Sequence, residues 1–230
     1  MHTFYVSSLT SQSKELQLDQ DQSKHAIRVM RMKEGDEFFA INGDGIKAHC
    51  KITIANKNNC VSEVIQLESK DKSGRKVSIA IAPTKNMDRI EWFCEKATEI
   101  GVDEIFFFTS KHSERKTIKL ERINKIVISA VKQSQRFFKP EIHDLIPLKE
   151  LMKENRSSKK FIAHCEEDDK LELSDQLENV KDCLILIGPE GDFSDEEISM
   201  AKKADFLPIT LGENRLRTET AGLVALMKTI

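Results

Sequence analysis

No apolar run in these 230 residues is long enough to cross a bilayer, and the opening "MHTFYVSS" has neither the charged nor the apolar stretch of a signal peptide. A cytoplasmic protein without a membrane partner is expected. The five cysteines, Cys50, Cys60, Cys94, Cys165 and Cys183, are odd in number and widely spaced with no CxxC, and the six histidines show no HxxxH or HExxH pairing. Neither a disulfide frame nor a metal is expected, and the cysteines read as small core residues. Also missing are GxGxxG after a strand, GxxxxGK[ST] and GxSxG, so dinucleotide, P-loop and nucleophile-elbow sites lack their central residues. Internal repeats and low-complexity tracts are absent too.

What is present is an ordinary globular composition, 39% apolar. The stretch "ESKDKSGRK", residues 68 to 76, is charged and aperiodic, and reads as a linker between two domains, 1–70 and 74–230. Before it, "DEFFAI", "KAHCKITIA" and "CVSEVIQLE" are strand-like runs parted by turns at "NGDG" and "NKNN", which predicts a small β domain with one helix. After it, strand-like "KVSIAIA", "EIFFFTS", "DCLILIG" and "FLPITLG" alternate with helical periodicity such as Ile90, Phe93, Cys94, Ala97 and Ile100. That alternation predicts an α/β domain with a mostly parallel sheet.

Charge is near balance overall but uneven locally. Nine Lys and Arg against two acids lie between Lys111 and Lys139, a surface compatible with nucleic acid, although charge alone favours a solvated helix face. Two strand ends near the C-terminus carry glycine turns, "LILIGPEGDFS" and "PITLGENRLRTETAG". Strand ends of parallel sheets are where ligands sit, because glycine lets backbone groups approach closely. Ser194 with three acids opens one following helix; Thr218 or Thr220 can cap the other, with Glu219 in its first turn. Capping leaves Arg217 unexplained, since a cation at a helix start is unfavourable unless it faces a polar ligand.

Taken in order, "HAIRVMRMKEGDEF", "NGDG", "EKATEIGV", "KQSQR" followed by a proline, "IGPEGDFS" and "LGENRLRTETA" resemble the RsmE family of ribosomal RNA methyltransferases. The resemblance implies a PUA-like RNA-binding domain followed by a SPOUT domain, whose C-terminal segment forms a trefoil knot around S-adenosylmethionine. It implies methylation of N3 of a uridine in small-subunit (16S) ribosomal RNA, by a homodimer. Carried onto matching positions, the cofactor set is Leu186, Gly188, Glu190 and Gly191, then Leu211 and Gly212, then Leu216, Arg217, Thr218, Glu219, Thr220 and Ala221. Asp192 departs from the family, which usually has a second glycine there; Asp tolerates positive φ better than most residues. Lys132 stands where an acid is common.

Uridine N3 must lose a proton before it attacks, which puts negative charge on the flanking carbonyl oxygens, and a guanidinium suits that charge. The catalytic candidates are Arg115, Arg136, three residues after Gln133 on one helix face, and Arg217. Arg115 and Arg136 serve equally well as phosphate ligands. His25, Arg28 and Arg31, at i, i+3 and i+6, fall along one side of a helix; the resemblance makes that side an RNA contact, though a solvated face would look the same, and Arg115, Gln133 and Arg136 are further RNA contacts. A SPOUT methyltransferase for another RNA position and a non-catalytic RNA-binding assembly protein remain the competing readings; an oxidoreductase lacks its glycine fingerprint.

Overall fold

The computed structural model describes residues 1–72, 74–155 and 157–230; Ser73, inside the expected linker, lies outside the described residues. The chain divides into two compact units, 1–73 with 128–139, and 74–127 with 140–230.

The first unit is a five-stranded sheet of β1 (Thr3–Tyr5), β2 (Glu15–Gln17), β3 (Glu37–Ile41), β4 (Ile46–Ile54) and β5 (Val61–Ser69), in the order β1-β3-β4-β5-β2. Alternation puts Phe38, Ala40, Ala48, Cys50 and Ile52 into a core with Phe4, whose ring meets Phe38 edge-on at 5.0 Å. In the "NGDG" turn, Asn42 Oδ1 accepts from the backbone N–H of both Asp44 and Ile46. Helix α1 (Gln20–Lys24), capped by Asp19, continues into a π-helical turn over His25–Val29. Here the expected single helix face is corrected. Met30 N–H bonds to His25 O five residues back, so the periodicity widens, and Arg31 lies past the helix with φ 57°. Met32 N–H then reaches back to Ala26 O, a helix-ending geometry that carries the left-handed residue at Arg31. His25, Arg28 and Arg31 are all exposed, but on different local frames.

The second unit holds β6 (Lys76–Ile81), α2 (Met87–Ile100), β7 (Glu104–Thr109), α3 (Leu120–Ser134, of which residues from 128 group with the first unit), β8 (Glu141–Pro147), α4 (Leu148–Glu154), β9 (Lys159–Ala163), β10 (Leu171–Glu172), β11 (Asp182–Ile187), α5 (Asp195–Lys203), β12 (Phe206–Thr210) and α6 (Thr218–Met227). Its seven strands run β10-β12-β9-β11-β6-β7-β8, and every pair is parallel. The unbroken "LILI" of β11 follows from this placement: Leu184 and Leu186 join a core with Phe108, Ile162 and Phe193 on one face, while Ile185 and Ile187 are buried on the other. From β12, beyond β9, the chain returns to lay α6 on β6, β11 and α2. That backward crossing is the path the SPOUT resemblance implies. The packing is tight at Gly222, where a Cβ would stand 2.6 Å from Phe93 Cε2.

Four of the five cysteines are buried, as expected of core residues, and Cys165 is exposed. Among the described residues one His/carboxylate group is close enough to share an ion, Glu104, Glu141 and His143 at the strand starts. Lys76 Nζ at 2.7 Å and the Ser78 hydroxyl at 2.6 Å already engage Glu104.

Candidate active site

Beyond the carboxyl ends of β9, β11 and β12 lies a cavity of about 720 Å³, the size of a small-molecule site. The two glycine turns form its walls. Of the residues expected from sequence, Gly188, Glu190, Leu211, Gly212, Leu216, Arg217, Thr218 and Ala221 line it. Leu186 lies deeper, fully buried in β11. Gly191 packs against His112, whose Nδ1 is 3.0 Å from Gly191 O and 3.1 Å from Asp192 O and donates to them. Thr220 does not line the cavity, and neither does Glu219, a buried residue whose Oε1 faces Arg89 Nε on α2 at 3.8 Å.

The capping expectation for α6 is also corrected. Arg217 is the N-cap, and no side chain caps the helix; Thr218 is buried. Among the described residues, the N-cap side chain thus leaves the first backbone N–H groups of α6 uncapped. At the other turn the sequence reading holds: Ser194 and Glu197 form a reciprocal capping box at α5. Gly212, at φ 127°, has open space where a side chain would point, so its backbone is open to the cavity.

Asp192 adopts φ 61°. Its side chain turns this departure from glycine into two bonds, Oδ1 accepting from Phe193 N–H at 2.8 Å and Oδ2 from Cys165 N–H at 2.6 Å. The second ties the turn after β11 to the end of β9.

Arg115, half-buried, donates from Nη2 to Lys85 O at 2.7 Å, while Lys85 N–H donates to Glu190 Oε1 at 3.1 Å. Two expected site residues are thus joined through a third that sequence reasoning missed. The available signal was "APTKN", a polar exit from β6 at the same sheet end as the glycine turns. Arg115 Nε is buried and has no hydrogen-bond partner among the described residues. Gln133 and Arg136 belong to the 128–139 segment of the first unit, and they do not share a helix face. Helix α3 ends at Ser134, Gln135 takes φ 54°, and Arg136 N–H closes onto Val131 O. Next to them Phe137 and Phe138 are half-buried, with Lys70 Nζ 4.4 Å from the Phe137 ring centre.

Residues 71–229 match the family model "RNA methyltransferase domain", and residues 18–65 match "RNA methyltransferase PUA domain". Together with the parallel sheet and its strand-end cavity, these matches define a SPOUT RNA methyltransferase with a PUA-like domain in front. The chain is similar to the ribosomal RNA small subunit methyltransferase E of Mesomycoplasma hyopneumoniae, 34% identical over 210 residues, 89% of each chain. It belongs to the ribosomal RNA small subunit methyltransferase E family. Among solved structures it resembles a "probable rRNA-methyltransferase" from Porphyromonas gingivalis, 43% identical, TM-score 0.89, covering 99% of this chain and 96% of that one. It also resembles the Neisseria gonorrhoeae ribosomal RNA small subunit methyltransferase E bound to S-adenosylmethionine, 26% identical, TM-score 0.89, covering 99% and 95%.

Proposed function

We propose that this protein transfers the methyl group of S-adenosylmethionine to N3 of a uridine in small-subunit (16S) ribosomal RNA. The observation that carries the mechanism is the Arg115–Lys85–Glu190 clamp beside a glycine-walled cavity in a chain of this family. The residues fit the cofactor: the cavity has the volume, glycine turns line two of its sides, and the N-cap side chain of α6 leaves the first N–H groups of that helix uncapped. When bound, S-adenosylmethionine supplies a methyl already electrophilic on sulfonium sulfur. The chain's own work is to align the uracil and to stabilise its deprotonated form. Arg115 is suited to the second task, because its Nε–H is buried and unpaired while Nη2 anchors the guanidinium to Lys85 O. Arg217, exposed at the cavity edge, and Arg136 are the further candidates for the same charge.

RNA contact we assign to the first domain, residues 1–70, through exposed His25, Arg28 and Arg31, with Gln133, Arg136 and Arg115 as additional phosphate or base ligands. The substrate is folded RNA in an assembled or assembling subunit, in the cytoplasm, and the reaction needs no metal. A homodimer is supported by large apolar side chains left exposed on α2 and at the chain end, Trp92, Met227 and Ile230.

The test is methyl transfer from labelled S-adenosylmethionine into unmethylated small subunits, read by nucleoside mass spectrometry. Appearance of 3-methyluridine supports the proposal. Donor binding with no incorporation removes the substrate assignment and favours the binding-protein reading.

A further inference from the structure

His164 follows directly on β9, the strand between β11 and β12, and lines the cavity. Its side chain is 1% exposed, yet neither ring nitrogen makes a hydrogen bond among the described residues. Buried polar groups are paired in the great majority of cases, so two orphaned nitrogens on a cavity wall call for a ligand. The ring's state follows from its neighbours. Nε2 stands 3.3 Å from Asp168 Oδ2, a carboxylate that Lys202 Nζ holds at 2.6 Å. A carboxylate beside Nε2 favours the hydrogen on that nitrogen and leaves Nδ1 as an acceptor. Burial, helped by Lys170 and Lys202 and opposed by Asp168 and Asp192, pushes the ring's pKa below its ordinary value and so favours the neutral form.

Two features indicate which part of a ligand meets it. The Arg115–Lys85–Glu190 clamp is built on the turns after β6, β7 and β11, whereas His164 follows β9, across β11 from β6 and β7. The reacting end of the ligand belongs at the clamp, and the end remote from it at β9. The cavity there is also lined by Ala163, Ile209 and Leu211, apolar side chains suited to an uncharged ring system.

We infer that His164 is a further ligand-binding residue of this cavity, its Nδ1 accepting a hydrogen bond from a hydroxyl or amino hydrogen on the nucleoside part of the methyl donor. The inference rests on the reading of the cavity as an S-adenosylmethionine site. His164 acts by holding the cofactor and takes no proton from the RNA.

The experiment is titration calorimetry on the full chain with S-adenosylmethionine, S-adenosylhomocysteine and 5′-methylthioadenosine. His164→Phe keeps a ring and removes the acceptor; His164→Asn returns an oxygen acceptor near the place of Nδ1. Loss of one hydrogen bond to a buried group predicts affinity weakened about tenfold for all three ligands in the Phe variant and within about threefold of the unmodified chain in the Asn variant. A second readout needs no variant: in the ¹⁵N-histidine spectrum of the unmodified chain, the unprotonated His164 nitrogen shifts when 5′-methylthioadenosine is added. Unchanged affinity in the Phe variant, an unmoved His164 resonance, or a loss for S-adenosylmethionine but not for 5′-methylthioadenosine each overturns the inference. Failure of the unmodified chain to bind any of the three overturns the methyl-donor reading, and the inference with it.

Discussion

Asp192 shows how one side chain can meet two demands. A left-handed backbone costs a non-glycine residue about 1 kcal/mol, and the bonds to Phe193 and Cys165 N–H each return a similar amount. Asp192→Ala keeps the strain and loses both bonds, so unfolding stability should fall by about 2 kcal/mol in a urea titration. Asp192→Gly relieves the strain and should recover part of that loss. Arg115 is tested by chemistry instead. Arg115→Ala should cut methyl transfer by about a hundredfold or more while S-adenosylmethionine affinity, measured by calorimetry, stays within a few-fold. An equal loss of binding would make Arg115 a scaffold for the Lys85 loop. Positive φ at Asp192 was foreseeable from a family difference alone, but its bond from the Cys165 N–H donor was not, because Cys165 is 27 residues away in the chain.

Among the elements, α6 is the one whose placement matters most. After its first turn it carries apolar residues with no polar stripe, and it packs on α2, β6 and β11 while Met227 at its end stays exposed. Gly222 sets the approach. Alanine is intrinsically better than glycine in a helix by about 1 kcal/mol, but here its Cβ would stand 2.6 Å from a fully buried Phe93 ring. Overpacking costs about 1–3 kcal/mol, so Gly222→Ala should lower the melting temperature despite its propensity gain. The α6 boundary was legible from "RTETA", yet its cap was not. Thr218 and Thr220 have the right chemistry, but packing buries Thr218, and Arg217 is left at the cap with its side chain free of the helix. Spacing likewise placed helices at His25–Arg31 and Gln133–Arg136, and missed that Arg31 and Gln135 turn left-handed.

For the whole molecule, charge at the strand starts predicts an acid limb of stability. His143, Lys76 and the Ser78 hydroxyl hold the Glu104 carboxyl down to about 2 from an ordinary 4.5, against the opposing effect of burial. His143 acts across 3.9 Å, beyond hydrogen-bond reach, so Lys76 and Ser78 make the direct contacts. Because the folded value is the lower one, this stabilisation is complete above about pH 4.5 and is lost as pH falls toward 2. Glu104→Gln should be less stable than the unmodified chain at pH 7, with the difference shrinking across that window in urea titrations at stepped pH. A constant difference would mean that Glu104 stabilises by packing alone.

What the sequence determined by itself is whatever depends on neighbours along the chain. The alternation in β3 and β4, the doubly buried run of β11, the capping box at Ser194 and the glycine turns after the strands all follow from local periods and turn chemistry. Tertiary structure alone decided which side chains meet. Lys85 finds Glu190 across 105 residues and Arg115 across 30; Glu219 turns to Arg89 instead of the cavity, and His164 is buried beside Asp168 with its nitrogens unpaired. A hydrogen bond or an orphaned nitrogen is a property of two surfaces brought together, and the parallel sheet, with α6 packed on α2, β6 and β11, brings together segments with no common period for a sequence to display.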